Sequence, residues 1–381
     1  MARLHVPRPG RRALAAVLVL LLAALVATVV FRSWVGAQAR AVVVLSTTIE
    51  TPVLTWAVAV VTAEPRVQET MVAGVPATLV RPPGDGPWPA VVFVNGATAL
   101  GRHHPDVERL ARGLARAGYL VLVPDPVGLE RGEITLRTLA ETVAVARAVS
   151  TREDARDHRV GFVGVSVGTT LALLAAEDPA LSGRVSAVAG IAPYTDLRRV
   201  IRLATTGYYD HQRYDADPFV SLAVARSLAA GLPPGRDRRT LVAQLRAVDD
   251  DDPHPLAVLE AGSTSGLGRP ARALLSLLRN RDPRRFDALY AALPASMRVG
   301  VTRLSPLAAT ERLWAPILLA SGPHDKYFPL TESRALIRAA GHGQLTVTRT
   351  LDHAVPEPSF GDVADLFRFD AFVVRVLHSM R

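Results

Sequence analysis

From about residue 66 onward the chain alternates short β-branched runs with longer amphipathic stretches, and no other feature narrows its fold as much. Apolar runs of this kind suit strands buried on both faces. A helix between consecutive strands returns the chain to the same sheet edge and makes the strands parallel. Residues 71–81 read as an opening hairpin and residues 90–94 as the first buried strand. A helix with apolar positions Val107, Leu110, Leu114 and Ala117 follows and stops at Gly118. Strands at 119–123, 160–165 and 185–191 then alternate with helices near 136–149 and 171–176.

Between about Thr195 and Ser305 the alternation breaks into irregular helical pattern, interrupted by Pro233-Pro234-Gly235, by Asp249 to Asp252 and by Gly262 to Gly268. A stretch this long exceeds any loop, so it is expected to form a helical cap over the carboxyl edge of the sheet. Alternation resumes with a strand at 317–320, a helix at 332–340, a strand at 345–350 and a closing helix at 363–377 with apolar residues 363, 366, 373 and 377. The expectation is an α/β fold: a mostly parallel central sheet flanked by helices, with a catalytic domain from 66–194 and 306–381 and a cap inserted at 195–305. With 49% hydrophobic residues in 381, the chain can bury one large core.

The formal charge of +9 raises nucleic acid as a partner, but the cations are scattered singly rather than gathered in a stripe. Nearly all are arginine, with Lys326 the only lysine, which reads as a codon preference; no nucleic-acid partner is expected. The chain has no cysteine, which excludes a disulfide framework, a thiolate nucleophile and cysteine-ligated zinc.

At the N-terminus, residues 13–31 form an unbroken apolar run of 19. As a helix it would be roughly 28 Å long, matching the hydrocarbon core of a bilayer. Arg3, Arg8, Arg11 and Arg12 precede it and only Arg32 and Arg40 follow closely. The positive-inside bias then predicts a basic cytoplasmic segment at 1–12, a single-pass transmembrane anchor at 13–31 and a catalytic domain outside the cytoplasm at the cell membrane. The rival is a secreted protein released after signal cleavage at Ala37-Gln38-Ala39. Residues 32–65 are expected to be a linker or interfacial segment, because Glu50, the threonines at 47, 48 and 51 and Pro52 would be costly in lipid.

Chemistry enters at Gly164-Val165-Ser166-Val167-Gly168, where a strand meets a helix. Such a turn lifts a serine to the tip of the sheet, and the flanking glycines let strand and helix approach without side-chain clash. A serine hydroxyl needs a base to take its proton, and that base needs a carboxylate to hold its tautomer. Asp325, after the strand at 317–320, and His353, after the strand at 345–350, stand at carboxyl ends of strands on the edge that carries Ser166. Asp352 is the weaker acid, since neighbouring side chains on an extended segment point apart.

With this order of Ser, Asp and His, the chain resembles the α/β-hydrolase superfamily over roughly residues 66–381, and within it the dienelactone-hydrolase and esterase branches. Gly322, Asp325 and Pro329 match the context in which that family places its acid. Dienelactone hydrolases proper carry a cysteine nucleophile where this chain has Ser166, which counts against a dienelactone substrate. The resemblance implies a serine esterase with Ser166, Asp325 and His353 as triad and no cofactor. It further implies an oxyanion hole from the backbone N–H groups of Val167 and Ala97. Asn95 replaces the family's usual histidine and removes one side-chain brace. Small-peptide hydrolysis, acyl transfer to another acceptor and an inactive binding module remain open on the same residues.

His103-His104 lack a third ligand for a metal, and Asp249 to Asp252 lack the spaced ligands of a calcium loop and read as a solvated acidic loop. His324 and His342 read as solvated or gap-filling residues. Tyr208, Tyr209, Tyr214 and Phe219 form either a lid over the substrate or the core of the cap.

Overall fold

The computed structural model describes residues 34–48, 62–260, 266–353, 355–356 and 363–381. Eight strands form one sheet: β1 (Arg66–Val72), β2 (Val75–Arg81), β3 (Trp88–Val94), β4 (Leu120–Pro124), β5 (Ala155–Val165), β6 (Val185–Ile191), β9 (Ile317–Ser321) and β10 (Gln344–Val347). Their order is β1-β2-β4-β3-β5-β6-β9-β10. β1 pairs antiparallel with β2, and β2 with β4; from β4 to β10 every pairing is parallel.

The strands read as uniformly apolar because the two faces of the sheet pack into two different cores. Val92, Leu120, Leu122, Val188, Ile317 and Leu319 join one cluster, while Val91, Phe93, Val121, Val123, Ala189, Leu318 and Ala320 join the other. Successive side chains alternate faces, so a strand covered on both sides must be apolar throughout. Helices α3 (Leu136–Ser150) and α4 (Val167–Ala176) cover the first face. The second is covered by α1 (34–48), α2 (Pro105–Arg116) and the C-terminal α13 (Val363–Ser379). In α13 Phe369, Phe372, Val376 and Leu377 are buried; of the expected apolar positions Leu377 lies in the core and Val373 packs against it, whereas Val363 is exposed.

The expected membrane anchor is corrected. Among the described residues no helix is long and apolar enough to cross a membrane, and residues 13–31 lie outside the described residues. The described part of α1 buries Ala37, Ala41 and Val44 against protein, and its Gln38 donates to Asp370 of α13. The transmembrane helix, the single-pass placement at the cell membrane and the membrane as partner are accordingly withdrawn.

Between β6 and β9 the chain forms a helical layer. It comprises α5 (Leu197–Thr206), α6 (Pro218–Ala230), α7 (Arg236–Arg246), α8 (Ala257–Glu260), α9 (Arg269–Leu278), α10 (Phe286–Ala291) and α11 (Ala295–Arg303). A small hairpin, β7 (Tyr208–Tyr209) with β8 (Gln212–Arg213), follows α5. Its junction to the rest depends on Arg226, which is 3% exposed. The guanidinium donates to the carbonyls of Arg131, Leu245 and Val248 and pairs with Asp250 at 2.6 Å. The acidic run is thus partly a counter-charge to a buried arginine rather than wholly solvated, because an unpaired buried cation would be costly.

At the end of α4, Glu177 is 8% exposed, and its Oε1 has no hydrogen-bond partner among the described residues. Burial, with Glu311 nearby, pushes its carboxyl from 4.5 up to about 8. A raised folded-state value means Glu177 favours the folded protein only while protonated. Its contribution is full below about pH 4.5 and is lost as the pH rises through about 8. Denaturant unfolding between pH 5 and pH 9 is expected to show stability falling with pH in the parent, with a flatter profile and a higher midpoint at pH 9 in Glu177→Gln. Parallel profiles would contradict it.

Candidate active site

Ser166 stands between the last residue of β5 and the first of α4, with φ 54° and ψ −126°. A positive φ is costly for a residue with a Cβ, so the surroundings must impose it. They do so through the backbone N–H of Ser166, which donates to Ile191 O on β6 at 2.8 Å, and through the closeness of α4 to the sheet. A Cβ on Gly168 would lie 2.1 Å from Val94 O, and one on Gly164 would lie 2.5 Å from Thr169 Cα. Only glycine fits at either position, so the helix can start directly over β3 and β5.

Asp325 lies in the loop after β9 with its side chain fully buried. Its Oδ1 accepts from the backbone N–H groups of Tyr327 at 2.8 Å and Phe328 at 2.9 Å, which fixes the carboxylate plane. His353 occupies the turn between two short strands, β11 (Leu351–Asp352) and β12 (Val355–Pro356). Its Nδ1 is 2.7 Å from Asp325 Oδ2, and its Nε2 is 2.9 Å from Ser166 Oγ. The fold therefore gathers Ser166, Asp325 and His353 into one continuous hydrogen-bonded chain, with 187 residues separating serine from histidine in sequence. Asp352 is exposed and takes no part.

The loop after β3 runs directly against the serine: a Cβ on Gly96 would be 3.6 Å from Ser166 Cβ. Ala97 and Val167 both line the cavity around Ser166. Asn95 is buried, and its Nδ2 donates to Gly101 O at 2.9 Å. It thus supplies a brace within its own loop, where the sequence comparison anticipated only the loss of one. His104 caps α2, its Nδ1 accepting from Asp106 N–H at 3.3 Å, and His103 lies 3.7 Å from Glu108. Among the described residues no three or more His, Cys, Asp or Glu side chains gather as metal ligands would. His324 is exposed, and the exposed His342 has its Nδ1 2.8 Å from Ala340 O.

The cap aromatics divide between the two expected roles. Phe219 lines the cavity, while Tyr214 ties the cap to the loop after β9 and Tyr209 ties it to α12 (Leu330–Ala340). The hydroxyl of Tyr214 donates to Asp325 O, and that of Tyr209 donates to Glu332. Glu332 is fully buried and also accepts from Thr195 N–H, Thr195 Oγ1 and Asp196 N–H. Burial pushes its carboxyl up, against the donors that pull it down. This knot was missed because a glutamate inside a helical pattern carries no sign that its face is buried. Tyr327 was missed as well; its place two residues after Asp325 was the available signal.

The cavity has a volume of about 1110 Å³ and extends under α6, where Tyr194, Leu197, Val200, Phe219 and Val220 make its walls apolar. The same volume also reaches Val44 of α1 and Phe372 of α13, so it exceeds what a single small-molecule site of about 300–1,000 Å³ occupies. Substituting Gly168 tests the close approach on which the turn depends. Gly168→Ala is expected to cost about 3 kcal/mol or more by overpacking against two carbonyl oxygens, read from the midpoint of urea unfolding. An unchanged midpoint would show that α4 can move away freely.

Comparison with known proteins agrees with this architecture. A sequence model of the alpha/beta hydrolase fold family matches residues 89–356. A Bradyrhizobium protein named "Probable 2-oxo-3-(5-oxofuran-2-ylidene)propanoate lactonase" is 32% identical over 120 residues, 28% of this chain and 47% of that one. The match thus spans about half the length of that relative. Among solved structures, a 2,6-dihydroxy-pseudo-oxynicotine hydrolase is 18% identical with a TM-score of 0.44, covering 82% of this chain and 68% of that one. The dipeptidyl peptidase 4 of Porphyromonas gingivalis is 15% identical with a TM-score of 0.45, covering 82% and 35%. The family match, spanning the elements that carry Ser166, Asp325 and His353, establishes that this chain belongs to the alpha/beta hydrolase fold family.

Proposed function

We propose that the protein is a serine acyl hydrolase that cleaves carboxylic esters or small-peptide amides through an acyl-enzyme on Ser166. The observation that carries this reading is the unbroken chain from Ser166 Oγ through the imidazole of His353 to the buried carboxylate of Asp325. Nδ1–H donates to Asp325, which leaves Nε2 as an acceptor for the serine proton. Ser166 Oγ attacks the acyl carbon and its proton passes to Nε2. The tetrahedral oxyanion accepts from the N–H groups of Val167 and Ala97, each such donor worth about 3 kcal/mol of barrier. The leaving alcohol or amine takes the proton from Nε2, and water, deprotonated by the same nitrogen, then releases the acid.

The apolar walls under α6 favour an uncharged group on at least one side of the scissile bond. The 2-oxo-3-(5-oxofuran-2-ylidene)propanoate lactonase named above would open an internal ester, which is compatible with acyl transfer at such a site. A p-nitrophenyl ester chain-length series, run beside aminoacyl p-nitroanilides, separates ester from amide preference. Ser166→Ala and His353→Ala are each expected to lower kcat by about 10⁴-fold or more, and Asp325→Asn by about 10⁴-fold, in proteins that keep the parent unfolding midpoint. Turnover that survives Ser166→Ala would contradict the proposal.

A further inference from the structure

His353 is held by little of its own backbone: it sits at φ 51° in a hairpin turn of two-residue strands. Two aromatic side chains from the loop after β9 hold its ring instead. Tyr327 stacks on the imidazole with ring centroids 4.1 Å apart and planes 25° from parallel. Phe328 meets it edge-on at 6.0 Å and 68°. The backbone N–H of Tyr327 also donates to Asp325 Oδ1 at 2.8 Å, so a single residue touches both partners of the hydrogen-bonded pair.

The segment that carries Tyr327 is held from the cap by Asp217, the residue that caps α6 by accepting from Phe219 N–H at 2.9 Å. Asp217 N–H in turn donates to Lys326 O at 2.8 Å. Burial, with Asp217 nearby, pushes the Tyr327 phenol up to about 12, so the hydroxyl keeps its proton at neutral pH.

We propose that Tyr327 is the positioning residue of this site, its ring fixing the plane of the His353 imidazole so that Nδ1 faces Asp325 while Nε2 faces Ser166. The inference rests on the serine hydrolase reading. Rotation of the imidazole about its Cβ–Cγ bond would swing both nitrogens out of their hydrogen bonds, and the stacked ring opposes that rotation. The other polar or charged groups around His353 are Asp325 and Ser166 on its two nitrogens, its hairpin neighbour Asp352, the cap's Asp217 behind the Tyr327 hydroxyl, and Lys326 on the cavity wall.

The test compares Tyr327→Leu and Tyr327→Phe in the full chain, reading kcat and KM on a p-nitrophenyl ester and the rate of inactivation by a fluorophosphonate. Tyr327→Leu is expected to lower kcat and the inactivation rate by about 10- to 100-fold, as misplacement of a catalytic group does. KM should stay within about threefold. Tyr327→Phe keeps the ring and is expected to stay within about threefold of the parent in kcat and in inactivation rate. A leucine variant with parental kcat, or a phenylalanine variant that loses as much as leucine, overturns the inference. Should Tyr327→Leu lower the unfolding midpoint, Tyr327→Met supplies the ringless comparison. Ser166→Ala in parallel separates the two levels: an inactive Ser166→Ala beside an unaffected Tyr327→Leu overturns only the positioning role, whereas an active Ser166→Ala overturns the hydrolase reading itself.

Discussion

The structure depends most on how closely α4 is allowed to approach the sheet. Without side chains at residues 164 and 168, the helix begins almost on top of Val94 and Thr169 closes against β5. That closeness forces the intervening residue into a positive φ and turns its side chain out at the carboxyl edge. The strain is local and is held by the two apolar cores, one on each face of the sheet, which leave the helix nowhere else to lie.

Around this rigid point the remaining site is assembled from parts of lower inherent order. Asp325 is fixed by two backbone N–H groups and by burial, but His353 rides on a hairpin of two-residue strands. Its alignment comes from contacts made by other segments. The cap is joined to those same segments by several polar ties: Tyr214 on the Asp325 carbonyl, Tyr209 on Glu332, and Asp217 N–H on the Lys326 carbonyl. Losing one partner of such a tie would leave a buried polar or charged group unpaired, so the ties fix where the cap sits. The helical layer and the hydrogen-bonded chain of Ser166, His353 and Asp325 therefore meet at the loop after β9.

Much of this was legible in the sequence because it follows from local rules. Strand β6 coincides with the expected 185–191, and α3 and α4 fall where periodicity places them, since an apolar run between turn residues has few other uses. The Ser, Asp and His positions were readable from their places after strands. What escaped depends on partners distant in sequence. Nothing near Glu332 announces that Thr195 and Tyr209 will surround it, and nothing in four consecutive aspartates says which one faces a buried arginine 24 residues away. On α13 the exposed Val363 was not foreseen for a related reason: apolar residues occupy more than one side of the helix, and packing against the sheet decides which of them are buried. The short β7/β8 hairpin carries no strand signal of its own, because two residues cannot show a period.

The central claim is that Ser166 is an activated nucleophile. It is tested most directly by treating the full-length protein with a fluorophosphonate, digesting it and locating the adduct by tandem mass spectrometry. The account predicts a single phosphonylated residue, Ser166, with modification abolished in His353→Ala. An unmodified Ser166 in folded protein, or an adduct at any other residue, would contradict it.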